Sequence, residues 1–420
     1  MATRIVFVTM FVQFSTIFNH RGLLAVSASS DDDMFSSYIG FNNLAQMPHA
    51  LSHTVAVVIK QSEIVQNSFA DVDDMYHIVP EDRIYFFGGC ASDQTCTTDG
   101  SARTCTCLSV TQRCMFYRPL KNNWGNCASA PIARYRHAWA KLRGKIYIVG
   151  GIGADGSIVR KIDIYDPITD SWDVSGIIWS DATGDAAAWG SDFMRSVYVA
   201  GGYTSANVAL GSVTRIDTVS RTINRDVPNM LHPRGAAEVM NAGTLYYVMG
   251  GYETVGKLSS GACSLPTHWN EAFNSLTNKW IQLPDMLYGR AGMATGTNGK
   301  NLVFAIAGET VDPTDDTCTK SVPVQNVGLY NITNRLWSTV DDLPSANRFR
   351  YTSASYYNGS FTGIYLFGGN SAFDPRCGCP VGVTVGCGAG CFRVSNLSTL
   401  YVPVSIYVNH PRKHNRCNTK

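Results

Sequence analysis

Six arginines stand where an anion could be gripped: Arg134, Arg136, Arg234, Arg290, Arg348 and Arg350, each just ahead of a β-type run. His49 and His53 hold the matching place before an earlier run. A guanidinium pairs with a carboxylate through two parallel hydrogen bonds, so these residues would suit an acidic ligand. Other chemistry is scarce. GYETVGKL (251–258) has the Gly and Lys spacing of a phosphate loop, but Leu258 stands where a hydroxyl must meet magnesium. Asp312, Asp315 and Asp316 lack the ordered spacing of a hand-type calcium loop and read as a solvated turn. Neither a Gly-x-Ser-x-Gly elbow nor a His-Glu-x-x-His zinc motif occurs, and no cofactor is implied.

The thirteen cysteines form two clusters. Cys90, Cys96, Cys105, Cys107, Cys114 and Cys127 make the first; Cys377, Cys379, Cys387 and Cys391 make the second. Cys263, Cys318 and Cys417 stand apart. In an oxidising compartment such a set forms disulfides, each worth about 2–4 kcal/mol, with connectivity open and one thiol left over. Metal is the competing reading, although the one-residue gaps of Cys105/Cys107 and Cys377/Cys379 are shorter than zinc sites use.

Export fits the N-terminus. Arg4 precedes an apolar run from Ile5 to Phe18, and Val26 and Ala28 suit a signal peptidase, giving a signal peptide over 1–28. His20-Arg21 is unusual there, so a signal anchor or a vesicular lumen stays open. The formal charge of +2 falls to zero once Arg4 and Arg21 are removed, which gives no electrostatic case for nucleic acid or an anionic membrane. A stable membrane span in the mature chain is not expected. Asn331, Asn358 and Asn396 head N-glycosylation sequons.

The elements that must position these residues repeat. A β run ending in Gly-Gly recurs at Ile84–Gly89, Ile146–Gly151, Val197–Gly202, Tyr246–Gly251 and Ile364–Gly369, with a degraded copy at Val303–Glu309. Downstream, an aromatic is followed seven residues later by Trp: Tyr117/Trp124, Tyr165/Trp172, Phe273/Trp280 and Tyr330/Trp337, with Ile216 and Ile223 in the third copy. In the degraded copy Glu309 reads as replacing the second Gly. Periods of roughly 50–60 residues are those of propeller blades.

With Gly-Gly, Tyr and Trp in this order, the sequence resembles the kelch family. The resemblance implies an all-β, six-bladed propeller of four-stranded antiparallel blades (strands a to d from the channel outward) over 46–409. Residues 29–45 would precede it and a basic tail, 410–420, would follow. Either Met34–Leu44 or Ser405–Asn409 would supply the outer strand of the last blade. The Cys-rich b–c insertions of blades one and six would lie side by side on one face. The arginines and His53 would ring the channel mouth on that face, unless they serve only to hydrogen-bond backbone between blades. The implied function is a secreted binding module presenting a disulfide-braced face to a protein or glycan. The alternative is a sugar-modifying enzyme at the channel mouth, using groups such as Arg234, Glu238 or Glu309.

Overall fold

The structure is a computed structural model. It describes residues 40–62, 81–99, 102–179, 181, 183–205, 208–253, 263–312, 321–343, 348–357, 362–371, 374 and 389–403. Strands dominate, and six four-stranded antiparallel sheets are formed among the described residues. Sheet two shows the plan: Ala138–Leu142, Lys145–Val149, Lys161–Asp166 and Ser171–Ile178 follow one another as strands a to d. The inner strands of sheets one to six are Val55–Ile59, Ala138–Leu142, Ala187–Ser191, Glu238–Ala242, Ala294–Thr297 and Thr352–Tyr357. Each touches the next in cyclic order, and the sixth touches the first. The expected kelch-type β-propeller is the fold.

Both faces of each sheet are apolar, so the core lies between sheets. Ile84, Phe86 and Met115 of sheet one pack on Tyr365, Phe367 and Val402 of sheet six. Comparable clusters fill the remaining gaps around the ring. A lone sheet would leave both apolar faces wet, which is why the units stand only together.

The aromatic pairs hold the outer hairpins in register. Tyr117 faces Trp124, Tyr165 faces Trp172, Phe273 faces Trp280 and Tyr330 faces Trp337 across strands c and d. Each indole N–H donates to a carbonyl in the link from the preceding sheet: Ala45, Ala128, Pro228 and Pro284, at 2.8–3.0 Å. The Trp is thus core filler and inter-sheet tie at once. At the Gly pairs the backbone turns back against the next sheet; a Cβ on Gly88 would stand 2.5 Å from the Arg134 carbonyl oxygen. The pair in sheet five is Ala307-Gly308, with φ of 56° and 96° matching 60° and 104° at Gly88-Gly89. The expectation that Glu309 replaces the second Gly is therefore corrected: Ala307 replaces the first, and Glu309 follows the pair.

Sheet six is completed from the N-terminal side. Gly40–Asn43 pairs with Ser398–Val402, and Phe41 stacks on Tyr401 with ring centroids 4.5 Å apart, where four of the other sheets place Trp. Ser405–Asn409 lies outside the described residues.

The b–c insertions of sheets one and six meet. Gln94–Asp99 and Ala102–Cys107 form a ribbon, and Ala389–Phe392 from the sixth insertion pairs with its first strand. The resulting three-stranded sheet belongs to none of the six.

Candidate functional site

Four of the arginines expected at a ligand site are turned into the protein. Arg134 is 1% exposed; it donates to the Asp163 carboxylate and to the carbonyls of Gly150 and Lys161. Arg234, equally buried, donates to the Glu271 carboxylate and to the carbonyls of His232 and Val248. Arg290 donates to the carbonyls of Ala305, Ala307 and Asn326. Arg348 bonds the Gly368 carbonyl and Ser395 Oγ and lies over the Tyr351 ring. Burial lowers the pKa of all four, opposed by Asp163 at Arg134 and by Glu271 at Arg234. These four clamp strands b and c of their own sheets, not the gaps between sheets. The partners carried a signal in the sequence: Asp163 and Glu271 each stand two residues before the aromatic of strand c.

Sheet five breaks that pattern with Gly328 at the corresponding place. Arg290 instead takes the amide oxygen of Asn326, at 2.5 Å, and burial brings its pKa down to about 10. A carboxylate there would turn a neutral acceptor into a charged one. Asn326→Asp should therefore raise stability by about 1 kcal/mol at pH 7. The paired carboxyl would have a depressed pKa, so the gain should vanish as pH falls through it. Urea unfolding at pH 7 and pH 3 would check both.

His53, Arg136 and Arg350 do come together at the channel mouth. With Asp185, Ala236 and Gly292 they occupy one repeat position in six sheets, all left-handed, with φ between 51° and 56°. The amides of Arg136, Asp185, Ala236, Gly292 and Arg350 each donate to the carbonyl of the preceding member, at 2.8–3.3 Å. This backbone ring holds side chains in a conformation that L-residues otherwise avoid.

The two arginines on the ring are neutralised. Arg136 pairs with Asp185; burial opposes its charge, but Asp185 more than offsets this and raises the pKa. Arg350 holds Glu309 Oε1 with two donors, at 2.9 and 2.5 Å, and donates a third to His53 Nε2 at 2.7 Å. Burial first, then Arg350, Arg136 and His137, drives the His53 pKa well below its ordinary value, so the ring is neutral and accepts that bond. Gln94, from the ribbon, stands 2.9 Å from His53 Nδ1. Residue types alone gave no hint of Gln94, since only the meeting of two distant loops brings it there. Behind the mouth lies a cavity of about 400 Å³, lined by ring residues and by inner-strand residues such as Ala138, Ala187 and Glu238.

Two disulfides are described. Cys90–Cys107 ties the ribbon to the end of strand b, and Cys114–Cys127 joins strands c and d of sheet one. Cys105, Cys263 and Cys391 are oxidised as well. The side chain of Cys96, and Cys318, Cys377, Cys379, Cys387 and Cys417, lie outside the described residues, as does Asn358. Asn331 closes a turn by accepting the Thr333 amide, and Asn396 reaches Gln46.

A kelch motif matches residues 133–174. An F-box/kelch-repeat protein of Arabidopsis thaliana is 32% identical over 101 residues, covering 24% of this chain and 26% of its own length. Kelch-like protein terF of Aspergillus terreus is 25% identical over 239 residues, covering 54% and 49%. The chain thus spans between a quarter and a half of the length of these relatives. The solved structure of YjhT superposes with a TM-score of 0.59 at 15% identity, covering 85% of this chain and 96% of that one, a likeness of fold. With the Gly pairs, the Tyr–Trp hairpins and the ring of four-stranded sheets, this makes the chain a member of the kelch-repeat family.

Proposed function

We propose that the chain is an extracellular interaction module that takes a protein or glycan at the b–c loop end of its sheets. The observation that carries the reading is the extra three-stranded sheet built jointly by the insertions of sheets one and six. It belongs to none of the six sheets and adds only small clusters of its own, Cys107 with Cys90 and Tyr135 and Phe392 with Phe349, and Cys90–Cys107 anchors its base. Loop structure of that kind, fixed on a rigid scaffold, is where recognition concentrates. Disulfides in this number fit an oxidising compartment, and export with cleavage near Ala28 belongs to the same reading. The sugar-modifying alternative loses Arg234 and Glu309 as free groups, since Glu271 and Arg350 engage them.

The test replaces Gln94–Cys107 with a short Gly-Ser turn, with Cys90→Ser to remove the thiol that loss of Cys107 would free, and the thiol freed by loss of Cys105 is alkylated. Both chains are crosslinked to extracellular-matrix extract and the adducts identified by mass spectrometry. The shortened chain should still unfold cooperatively, with a midpoint lowered by no more than the lost disulfides account for, and lose the partner. A partner captured equally by both chains would refute the loop-end reading.

A further inference from the structure

The expected anion site is replaced by a different vacancy of charge. Two residues beyond the mouth ring, the inner strands carry Val55, Ala138, Ala187, Glu238, Ala294 and Thr352 in sheets one to six. Five of these six are neutral and small or β-branched, as a narrow channel wall requires. Glu238 alone is an acid, and it lines the cavity of about 400 Å³. It is half-buried, and its carboxyl makes no hydrogen bond or ion pair with any described residue. The cations around the same cavity are committed elsewhere: Arg136 to Asp185, Arg350 to Glu309 and His53, Lys141 to the Val58 carbonyl. Burial, and then the neighbouring Asp185, push the Glu238 carboxyl up to about 8. Every other sheet folds without an acid here, so the carboxyl opposes folding and calls for another explanation.

We propose that the channel behind the mouth binds an organic cation, an alkylammonium or guanidinium group, against the Glu238 carboxylate. Met240, Tyr246 and Trp139 on the same walls offer apolar and aromatic surface to the stem of such a group. A cavity of this size suits a small ligand or one inserted side chain. No residue of the ribbon or of Ala389–Phe392 lines this cavity, so the two readings fail independently.

The proton balance gives a distinctive readout. The titratable groups lining the cavity with Glu238 are His53, Arg136, His137, Lys141, Asp185, Asp192, Arg350, and Tyr246 and Tyr351, whose pKa values burial raises. His53 and His137 have pKa values lowered first by burial, so both are neutral across the useful range. Below about pH 8 a bound cation must displace the Glu238 proton to solvent. Affinity should rise as pH approaches 8, by up to about tenfold per unit, and level off above it.

Propylguanidinium and its neutral analogue propylurea are titrated calorimetrically into the full chain at pH 6 and pH 8.5. Propylguanidinium should bind at pH 8.5 at least tenfold more tightly than propylurea, and at least tenfold more tightly than at pH 6. Glu238→Gln should remove both differences. The same variant should be more stable than the parent at pH 8, the two converging toward pH 4. The sign follows because the folded carboxyl holds its proton where the unfolded one has lost it, so parent stability falls between about pH 4.5 and 8. Glu238→Ala, with the residue sheets two, three and five already carry, repeats the test. Equal binding of the two probes, no binding of propylguanidinium, or loss of folding in both variants would overturn the proposal.

Discussion

Arg234→Ala should cost the folded chain about 3–5 kcal/mol, an effect on stability before any effect on binding. The guanidinium is wholly buried, its partner Glu271 is equally buried, and Glu271 also receives the Leu231 amide at 2.8 Å. Truncating the arginine leaves a carboxylate in a dry interior, with the Val248 carbonyl losing its donor too. Removing both charges is the informative control. Arg234→Met with Glu271→Leu should recover most of the loss, because a buried ion pair contributes little beyond an apolar pair of similar volume. Urea midpoints of the single and double variants would check this. A single variant within about 1 kcal/mol of the parent would show that Arg234 is not the clamp described. It also follows that lost ligand capture in Arg234→Ala or Arg290→Ala would report unfolding, not a missing binding residue.

The sequence places the arginines correctly along the chain but does not reveal where they point. Arg134 and Arg136 are two apart, and in an unbroken strand their side chains would share a face. The left-handed turn at Arg136 breaks that alternation, so Arg134 enters the sheet while Arg136 faces the channel. Nothing in an Arg codon position announces a positive φ. The repeat, by contrast, is legible because each unit needs the same Gly turn and the same Tyr–Trp hairpin. The same hairpin also fixes a disulfide. Once Tyr117 faces Trp124, antiparallel register obliges Cys114 to face Cys127, which is the disulfide found. Cys90–Cys107 had no such ruler, since the ribbon that brings its ends together lies outside the repeat. In the sequence Glu238 is one polar group among several. Its isolation becomes visible when the surrounding cations are seen to be paired.

Deleting the chain through Asn43 should abolish the closed monomeric ring, the largest effect expected from any short deletion. Gly40–Asn43 is the outer strand of sheet six, although every other strand of that sheet comes from the far end of the chain. Without it, Ser398–Val402 becomes a bare edge, with Tyr401 uncovered on the side now held by Phe41. An unpaired apolar edge recruits strands from other copies, so association should replace cooperative folding. The links that follow the strand depend on it as well: the Leu44 amide donates to the Ser398 carbonyl, and the Ala45 carbonyl receives Trp124 of sheet one. Two sheets distant in sequence are therefore secured by one four-residue segment. Light scattering and urea unfolding would test this, with a peptide of residues 34–46 added back in trans. Restoration of a monomer by the peptide, and not by a version carrying Phe41→Ala, is the expected result. A deleted chain that stays monomeric with the parent's midpoint would mean that the ring is held by inner-strand packing alone.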